Sequence, residues 1–394
     1  MIASDRALLL CLLELPTAGP LETSAEVRLW DAMRLYADAA ADIGFEVEHF
    51  APAATLSDLV PLDVGADFLA CQPNLVLRRG PRDAPAVMFN VHLDTVAPFE
   101  PASFDGVRFH GRGAIDAKGP AVALLAGLRA AANADCGVLV QAVSGEEGGA
   151  MGTFGTRPLV EAGYVGALNV FCEPTGLRYL PRCTAAMTPS IQIRGDDAID
   201  DQPDVGHNAT VLLGFLAQHL AAALPQVPNG QMCVAGLHTG SMHNRVYGSG
   251  ELLLNLSYGS SASARVLEEA VSAELTAGLA AFTERFGDRS PFRRTAQDAA
   301  KITELSWRKR GLPALSTQDV PLLDGLVPRW PDDEPAFTCD AIWLDGVAPA
   351  VVLGPGSLDG NNAHAPGEFA LEADLDRFAG VVRDIVLRFA ESVR

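Results

Sequence analysis

The chain has 394 residues, of which 48% are hydrophobic and 20% are charged, and its formal net charge is -20. Such a composition is typical of a globular protein, and the length favours two domains over one. The acidic excess argues against nucleic acid and anionic membranes as partners, because both bind to basic surfaces.

The cysteines indicate the compartment. The chain has 7 cysteines, an odd number, and no two of them have the spacing Cys-x-x-Cys. Reduced thiols in a cytoplasmic protein are therefore expected. Residues 7–15 are apolar but contain Glu14, which favours an amphipathic first helix over a signal peptide. No later run is long and apolar enough to span a bilayer.

The first part of the chain alternates between helical and strand patterns. The predicted elements, in chain order, are helices at 7–15 and 24–43, a strand at 45–50, a buried strand at 86–91, a helix at 120–134, and buried strands at 137–143 and 167–172. Because buried strands alternate with helices, we expect an α/β fold with a mainly parallel sheet. Ligands of such sheets bind at the carboxyl ends of the strands.

The pattern changes at about residue 184 and changes back at about residue 294. The predicted elements of this middle part are half-exposed strands at 190–194 and 252–258 and helices at 209–223 and 264–286, and after it come a helix at 300–311, a buried strand at 349–353 and a helix at 371–393. We therefore predict a main domain of residues 1–183 and 295–394. Residues 184–294 form an inserted α+β domain with an antiparallel sheet.

Five residues with side chains that commonly bind metals follow buried strands or lie in glycine-rich loops beside them. They are His92, Asp116, Glu147, Glu173 and His364. Imidazole and carboxylate together suit zinc, and also cobalt or manganese. One catalytic zinc needs only three protein ligands, so the five could serve two metal ions that share a carboxylate.

Each of these residues also has an ordinary interpretation. A histidine after a strand is usually a polar loop residue, and Glu173 could cap a helix. Two neighbours favour the metal site. Asp94 could orient the imidazole of His92. Glu146 and Glu147 follow an apolar strand, where adjacent like charges are costly without a cation.

Five stretches of the chain carry a more specific signal. They are residues 92–96 (His-Leu-Asp-Thr-Val), 111–119 (Gly-Arg-Gly-Ala-Ile-Asp-Ala-Lys-Gly), 144–148 (Ser-Gly-Glu-Glu-Gly), 173–175 (Glu-Pro-Thr), and 353–357 (Leu-Gly-Pro-Gly-Ser) leading to His364. In order and spacing, the sequence resembles the acetylornithine deacetylase / succinyl-diaminopimelate desuccinylase family of dinuclear zinc amidohydrolases and peptidases. The resemblance covers nearly the whole chain. It is closest to acetylornithine deacetylase in residues 237–240 and 354–369.

The resemblance implies a catalytic domain of zinc-exopeptidase type that holds two divalent metal ions. Asp116 would bridge the two ions. His92 and Glu173 would complete one site, and Glu147 and His364 the other.

The resemblance also implies the catalytic and substrate-binding residues. Glu146 would be the general base, taking a proton from the attacking water and passing it to the leaving amine. Asp94 would orient His92. We expect contacts to a small-molecule substrate from His238, Asn244 and Gly354, which lie in family-like stretches.

The inserted domain would be the family's lid, which often also forms a homodimer interface, but two of its positions depart from the family pattern. Residues 195–209 match the lid motif, except that Ile199 occupies the position of a histidine that stabilises the oxyanion. Loss of one such donor costs about 2.7–4 kcal/mol in the transition state. Ser257 occupies the position of an arginine that binds the substrate carboxylate.

These departures leave three explanations. The enzyme could hydrolyse a substrate without the usual α-carboxylate, with His207, His238 or His243 as the replacement donor. The site could instead catalyse acyl transfer or condensation, or the protein could bind a ligand without hydrolysis. Retention of Glu146 weakens the third explanation, because a pure binding protein needs no base. We predict the first: a metal-dependent hydrolase that cleaves the amide bond of an N-acyl amino acid or related small amide.

Overall fold

The structure is a computed structural model that describes residues 1–25, 27–50, 68 and 70–394. Its helices are α1 (Ala3–Leu13), α2 (Leu29–Asp42), α3 (Lys118–Ala130), α4 (Thr156–Glu161), α5 (Ala209–Ala223), α6 (Ser261–Phe286), α7 (Arg293–Ile302) and α8 (Glu372–Ser392). Short 3-10 helices lie at Ser290–Phe292, Pro321–Leu323 and Asp340–Leu344.

Fifteen strands lie in the part of the chain that the structure describes. They are β1 (Glu46–Phe50), β2 (Asn74–Arg79), β3 (Ala86–His92), β4 (Ser103–Phe104), β5 (Arg108–His110), β6 (Gly137–Val143), β7 (Leu168–Phe171), β8 (Ala185–Arg194), β9 (Ala198–Ile199), β10 (Met232–His238), β11 (Arg245–Val246), β12 (Ser249–Tyr258), β13 (Thr303–Lys309), β14 (Ala350–Val352) and β15 (Phe369–Leu371). The described residues form two compact units, one of them containing Thr184–Ala314 and the other the chain before and after it.

The first unit is built on a six-stranded sheet with the order β1-β2-β6-β3-β7-β14. The strands β6, β3, β7 and β14 run parallel, and β2 and β1 continue the sheet antiparallel at one edge. This confirms the predicted α/β class with a mainly parallel sheet. Because these four strands are parallel, the loops after β3, β6, β7 and β14 all begin at the same end of the sheet, where the carboxyl ends of the strands lie.

The sequence of the central strands explains their place in the sheet. All of β6 is buried, and so is β3 after its first residue. Strands of this kind are covered on both faces and read as continuous apolar runs. Helix α3 packs against α8, and Gly127 allows the close approach, since a Cβ there would lie 2.7 Å from the Cβ of Val382.

The second unit contains an antiparallel sheet with the order β10-β12-β8-β13. Helix α6 packs against α5 and α7. The fully buried residues Leu216 and Phe282 lie on α5 and α6 and contribute to the core of the unit. Burial of one face of an antiparallel sheet by helices is typical of an α+β domain.

Three sequence-based expectations are corrected by the structure. The predicted helix at 300–311 is wrong: α7 ends at Ile302, and Thr303–Lys309 forms β13. The pairing of β13 with β8 overrides the helical pattern and also extends the second unit to Ala314, beyond the expected residue 294. The helix expected at 24–43 begins only at Leu29.

Two further observations concern membrane-spanning helices and the state of the cysteines. Among the described residues, no helix is long and apolar enough to cross a membrane. All the cysteines, Cys11 to Cys339, are free thiols. A cytoplasmic location stays a prediction.

Candidate metal centre

Strand β3 ends at His92, and its imidazole is buried against two carboxylates. His92 Nε2 lies 2.9 Å from Asp116 Oδ1 and 3.6 Å from Glu173 Oε1. Glu173 follows β7, the neighbour of β3 in the sheet. The parallel register therefore brings together side chains that are far apart in sequence.

A second imidazole faces the other side of Asp116. His364 Nε2 lies 3.2 Å from Asp116 Oδ2 and 2.9 Å from Glu147 Oε1. Each oxygen of Asp116 thus faces a different histidine, which is the geometry of a carboxylate that bridges two ions. His364 has a left-handed backbone, with φ of 60°, and its side chain is 49% exposed.

The loop that carries Asp116 is anchored by a fully buried carboxylate. Oε1 of Glu368 accepts hydrogen bonds from the backbone N–H groups of Gly113, Ile115 and Asp116, at 3.1, 3.1 and 3.2 Å. Its Oε2 accepts one from Arg112 Nη1 at 2.8 Å. Because Glu368 follows His364 closely in sequence, it joins the two ligand-bearing loops.

Asp94 has a different set of contacts from the one expected. The backbone carbonyl oxygen of Asp94, rather than its carboxylate, lies 3.0 Å from His92 Nδ1. The carboxylate is 3.6 Å away through Oδ1, and its Oδ2 accepts a hydrogen bond from Glu147 N at 3.0 Å. Asp94 therefore connects His92 to the backbone of Glu147.

The crowded carboxylates raise one another's affinity for protons. Burial raises the pKa of Glu146 well above its usual value, and Glu147 raises it further. Burial likewise raises the pKa of Glu147 to about 7, against the effect of the hydrogen bond from His364. Hydrogen bonds to Asp116 and Glu147 raise the pKa of His364 to about 10. A cluster with these properties stabilises positive charge, whether protons or metal cations supply it.

The donor set fits a pair of divalent cations. Two groups of three residues bring ligand atoms within 4.8 Å of one another, and both include Asp116. One contains His92 and Glu173, and the other Glu147 and His364. Nitrogen and oxygen donors of this kind suit zinc, cobalt and manganese.

Glu146 belongs to neither of these two groups, although it lies next to Glu147 in sequence. Its side chain is half-buried and joins His92 and Glu147 in a third possible group. Glu146 therefore lies beside both groups without being needed to complete either of them.

The expected substrate residues are distributed over both units. Gly354 follows β14 in the first unit, where a Cβ would overlap with the backbone oxygen of Glu173. Gly354 therefore permits the close approach of the two backbones. His238 and Asn244 are exposed residues of the second unit.

The two positions that depart from the family pattern, Ile199 and Ser257, both lie in the second unit. Ile199 lies on the short strand β9 and is 56% exposed. Ser257 lies on β12, and its Oγ accepts a hydrogen bond from Gln231 N at 2.9 Å. Neither position supplies an imidazole or a guanidinium group.

Four residues that contact the loops around the candidate ligands were not expected from the sequence. They are Arg112, Glu368, Asp340 and Trp343. Arg112 and Glu368 fall within family-like stretches, which could have drawn attention to them. No local pattern singles out Asp340 or Trp343, since their contacts are made with residues near 151–156.

A model of the peptidase family M20/M25/M40 matches residues 88–388. The chain belongs to this family. A proposed LysW-lysine/LysW-ornithine hydrolase of Aeropyrum pernix is 37% identical over 122 residues, or 26% of this chain and 35% of that protein. The chain matches about a third of the length of such curated relatives.

Solved structures of low sequence identity share the fold. A family M20 metallo-carboxypeptidase from Sulfolobus solfataricus has a TM-score of 0.73 at 12% identity, over 99% of this chain and 100% of that one. A dinuclear metal-binding family M20 peptidase from Bacillus subtilis has a TM-score of 0.61 at 12% identity, over 99% and 98%.

Proposed function

We propose that this family M20 protein hydrolyses the amide bond of an N-acyl amino acid or a related small amide, with Glu146 as general base. The observation that carries the proposal is the arrangement around Asp116. Each of its oxygens faces one histidine, and Glu146 lies beside the cluster outside both ligand groups.

We propose two divalent cations as cofactors, with zinc as the first candidate. His92, Asp116 and Glu173 would hold one, and Asp116, Glu147 and His364 the other. When bound, the cations would polarise the amide carbonyl and make water a stronger acid. The named dinuclear relative supports the number of ions, and the donor types support zinc, cobalt or manganese.

The protein's own groups would move the protons and hold the candidate ligands in place. Glu146 would take a proton from the attacking water and give it to the departing amine nitrogen, which turns a poor leaving group into a neutral amine. Asp94 holds the backbone of Glu147 and the ring of His92, so both stay aimed at the reacting centre.

Two observations support the proposed substrate class. Ile199 and Ser257 offer no charged group to a substrate carboxylate. This supports amides whose α-carboxylate is absent or blocked, alongside N-acyl amino acids. The names of two similar proteins, a LysW-lysine/LysW-ornithine hydrolase and a metallo-carboxypeptidase, support an amino-acid-containing substrate.

An activity screen tests the proposal. Metal-loaded protein is assayed on acetyl-, succinyl-, formyl- and peptidyl-amino acids, each with and without a free α-carboxylate. Glu146→Gln is expected to lose nearly all turnover while its metal content stays unchanged, and Glu391→Gln, at an exposed position of α8, serves as the matched control. Full turnover by Glu146→Gln would overturn the role of this residue.

We further propose that the chain forms a homodimer through β10. This strand lies at the edge of its sheet, and all of its apolar side chains remain accessible, with Met232, Val234 and Leu237 each at least 40% exposed. Unpaired edges of this kind favour antiparallel pairing with an identical edge across a two-fold axis. Sedimentation should show a dimer, and Val234→Lys a monomer; a monomeric wild type would contradict this.

A further inference from the structure

The loop that carries Glu146, residues 145–155, has an unusual backbone; we call it the base loop. Gly145, Gly148, Gly149 and Gly152 have left-handed φ values, which glycine adopts readily. Met151 also has a left-handed backbone, with φ of 46°, although it carries a side chain. A residue with a Cβ holds this conformation only where its surroundings stabilise it.

The conformation of Met151 is coupled directly to Glu146. Met151 N donates a hydrogen bond to the carbonyl oxygen of Glu146 at 3.2 Å. The next residue, Gly152, donates to Gly145 at 2.9 Å. Movement of Met151 would therefore move the backbone from which the Glu146 side chain projects.

The short 3-10 helix Asp340–Leu344 holds the base loop at Met151 and Gly152. The indole Nε1 of Trp343 donates a hydrogen bond to the carbonyl oxygen of Met151 at 2.7 Å. A Cβ at Gly152 would overlap with the carboxyl group of Asp340, so the two groups are in close contact. Asp340 Oδ2 also accepts a hydrogen bond from Thr156 Oγ1 at 2.6 Å.

We propose that Trp343 is a positioning residue for Glu146. Its indole N–H fixes the carbonyl of Met151, this stabilises the left-handed backbone, and the backbone hydrogen bond from Met151 sets the orientation of Glu146. The consequence for catalysis rests on the proposed hydrolase function, whereas the effect on the base loop does not. Trp343 itself makes no contact with the predicted metal ligands among the hydrogen bonds of the described residues.

The test compares two tryptophan-to-phenylalanine variants of the full-length, metal-loaded protein. Trp343→Phe keeps the aromatic ring that packs under Arg157, with its centroid 5.1 Å from the guanidinium carbon, but removes the N–H donor. Trp330→Phe is the matched control, because the buried Nε1 of Trp330 has no hydrogen-bond partner among the described residues. Backbone hydrogen exchange of the base loop is measured first, and then kcat, KM and metal content.

Loss of one hydrogen bond should change the exchange rate of the loop amides and kcat by about tenfold. In Trp343→Phe we expect faster exchange of the Met151 and Gly152 amides and a lower kcat, with KM and metal content within about twofold of the wild type. Trp330→Phe should match the wild type in all four. Unchanged exchange in Trp343→Phe would overturn the proposal.

The remaining outcomes separate this proposal from the function. If Trp343→Phe loses kcat, metal content and thermal stability together, Trp343 has a general structural role. This result would also overturn the proposal. If the wild type hydrolyses no amide, the proposed function fails. The exchange of the Met151 and Gly152 amides still decides whether Trp343 holds the loop.

Discussion

The first unit gathers its candidate metal ligands around Asp116, whereas the two positions of the second unit that depart from the family pattern hold no charged side chain. Around Asp116, two histidines and two further carboxylates converge within hydrogen-bonding or metal-ligand distance. In the second unit, Ile199 is a solvent-exposed aliphatic residue, and Ser257 Oγ accepts a hydrogen bond from the backbone of Gln231, the residue before β10.

Under the proposed function, this difference would mean that reaction type and substrate choice depend on separate sets of residues. Metal chemistry needs several donors placed within a few tenths of an ångström, so one lost ligand abolishes it. Recognition by a lid depends on single contacts, which can be exchanged for others without loss of the reaction. The following changes test this separation.

The largest effect is expected at the shared ligand. Asp116→Asn removes a charge from both ligand groups, so metal content should fall below one ion per chain and turnover by about a thousandfold or more. Elemental analysis and turnover measure this. Asp359→Asn, at an exposed loop position of the same unit, is the control and should retain both. A fully metal-loaded, active Asp116→Asn would show that no bridging carboxylate is required.

The next effect is expected at Glu368. Glu368→Gln places an amide group among three backbone N–H donors and Arg112, so the Asp116 loop loses its anchor. Outer partners of metal ligands typically account for about 10–100-fold in metal affinity. Competition with a fluorescent chelator should show a loss of this size. Wild-type affinity would mean that Asp116 is positioned without Glu368.

A change in the second unit should leave the metal centre untouched. Ser257→Arg restores the family residue and should raise kcat/KM for substrates with a free α-carboxylate by about tenfold, the effect of one gained ionic hydrogen bond. Metal content should stay at the wild-type value. Ser257→Lys is a suitable comparison, because it adds the charge without the planar guanidinium. Loss of metal in Ser257→Arg would contradict the separation of the two roles.

The smallest effect concerns stability in acid. Hydrogen bonds from the backbone of Arg108 and Val107 lower the pKa of Asp105 in the first unit to about 2. A lowered pKa in the folded state contributes stability that is present above the unfolded value of 3.8 and is lost as pH falls toward 2. Asp105→Asn should therefore lower Tm at pH 6, with the difference shrinking between pH 4 and pH 2.

Asp197 provides the same test in the second unit. The backbone N–H of Gly248 and the side chain of Arg245 lower its pKa. Asp197→Asn should therefore also lower Tm at pH 6, and the difference from the wild type should shrink at acid pH. If the Tm difference between a variant and the wild type does not depend on pH, the charge of the replaced carboxylate does not contribute to stability. Thermal melts of both variants between pH 2 and pH 6 measure it.

Several features of the molecule follow from the sequence by itself. The buried strands and the polar residues that follow them predict a mainly parallel sheet with a candidate metal site at one edge, and the fold class is confirmed. This was possible because strand period and apolar runs are local signals, and parallel strands bring their carboxyl ends to one edge. The sequence also placed His92, Asp116 and His364 in one candidate site.

Tertiary structure decided the rest, because it depends on contacts between distant segments. Thr303–Lys309 became a strand only through pairing with β8. The carboxylate of Asp94 bonds to Glu147 N rather than to His92, since the two loops meet only in the folded protein. Trp343 reaches Met151 from a separate part of the chain, and no local periodicity records such a contact.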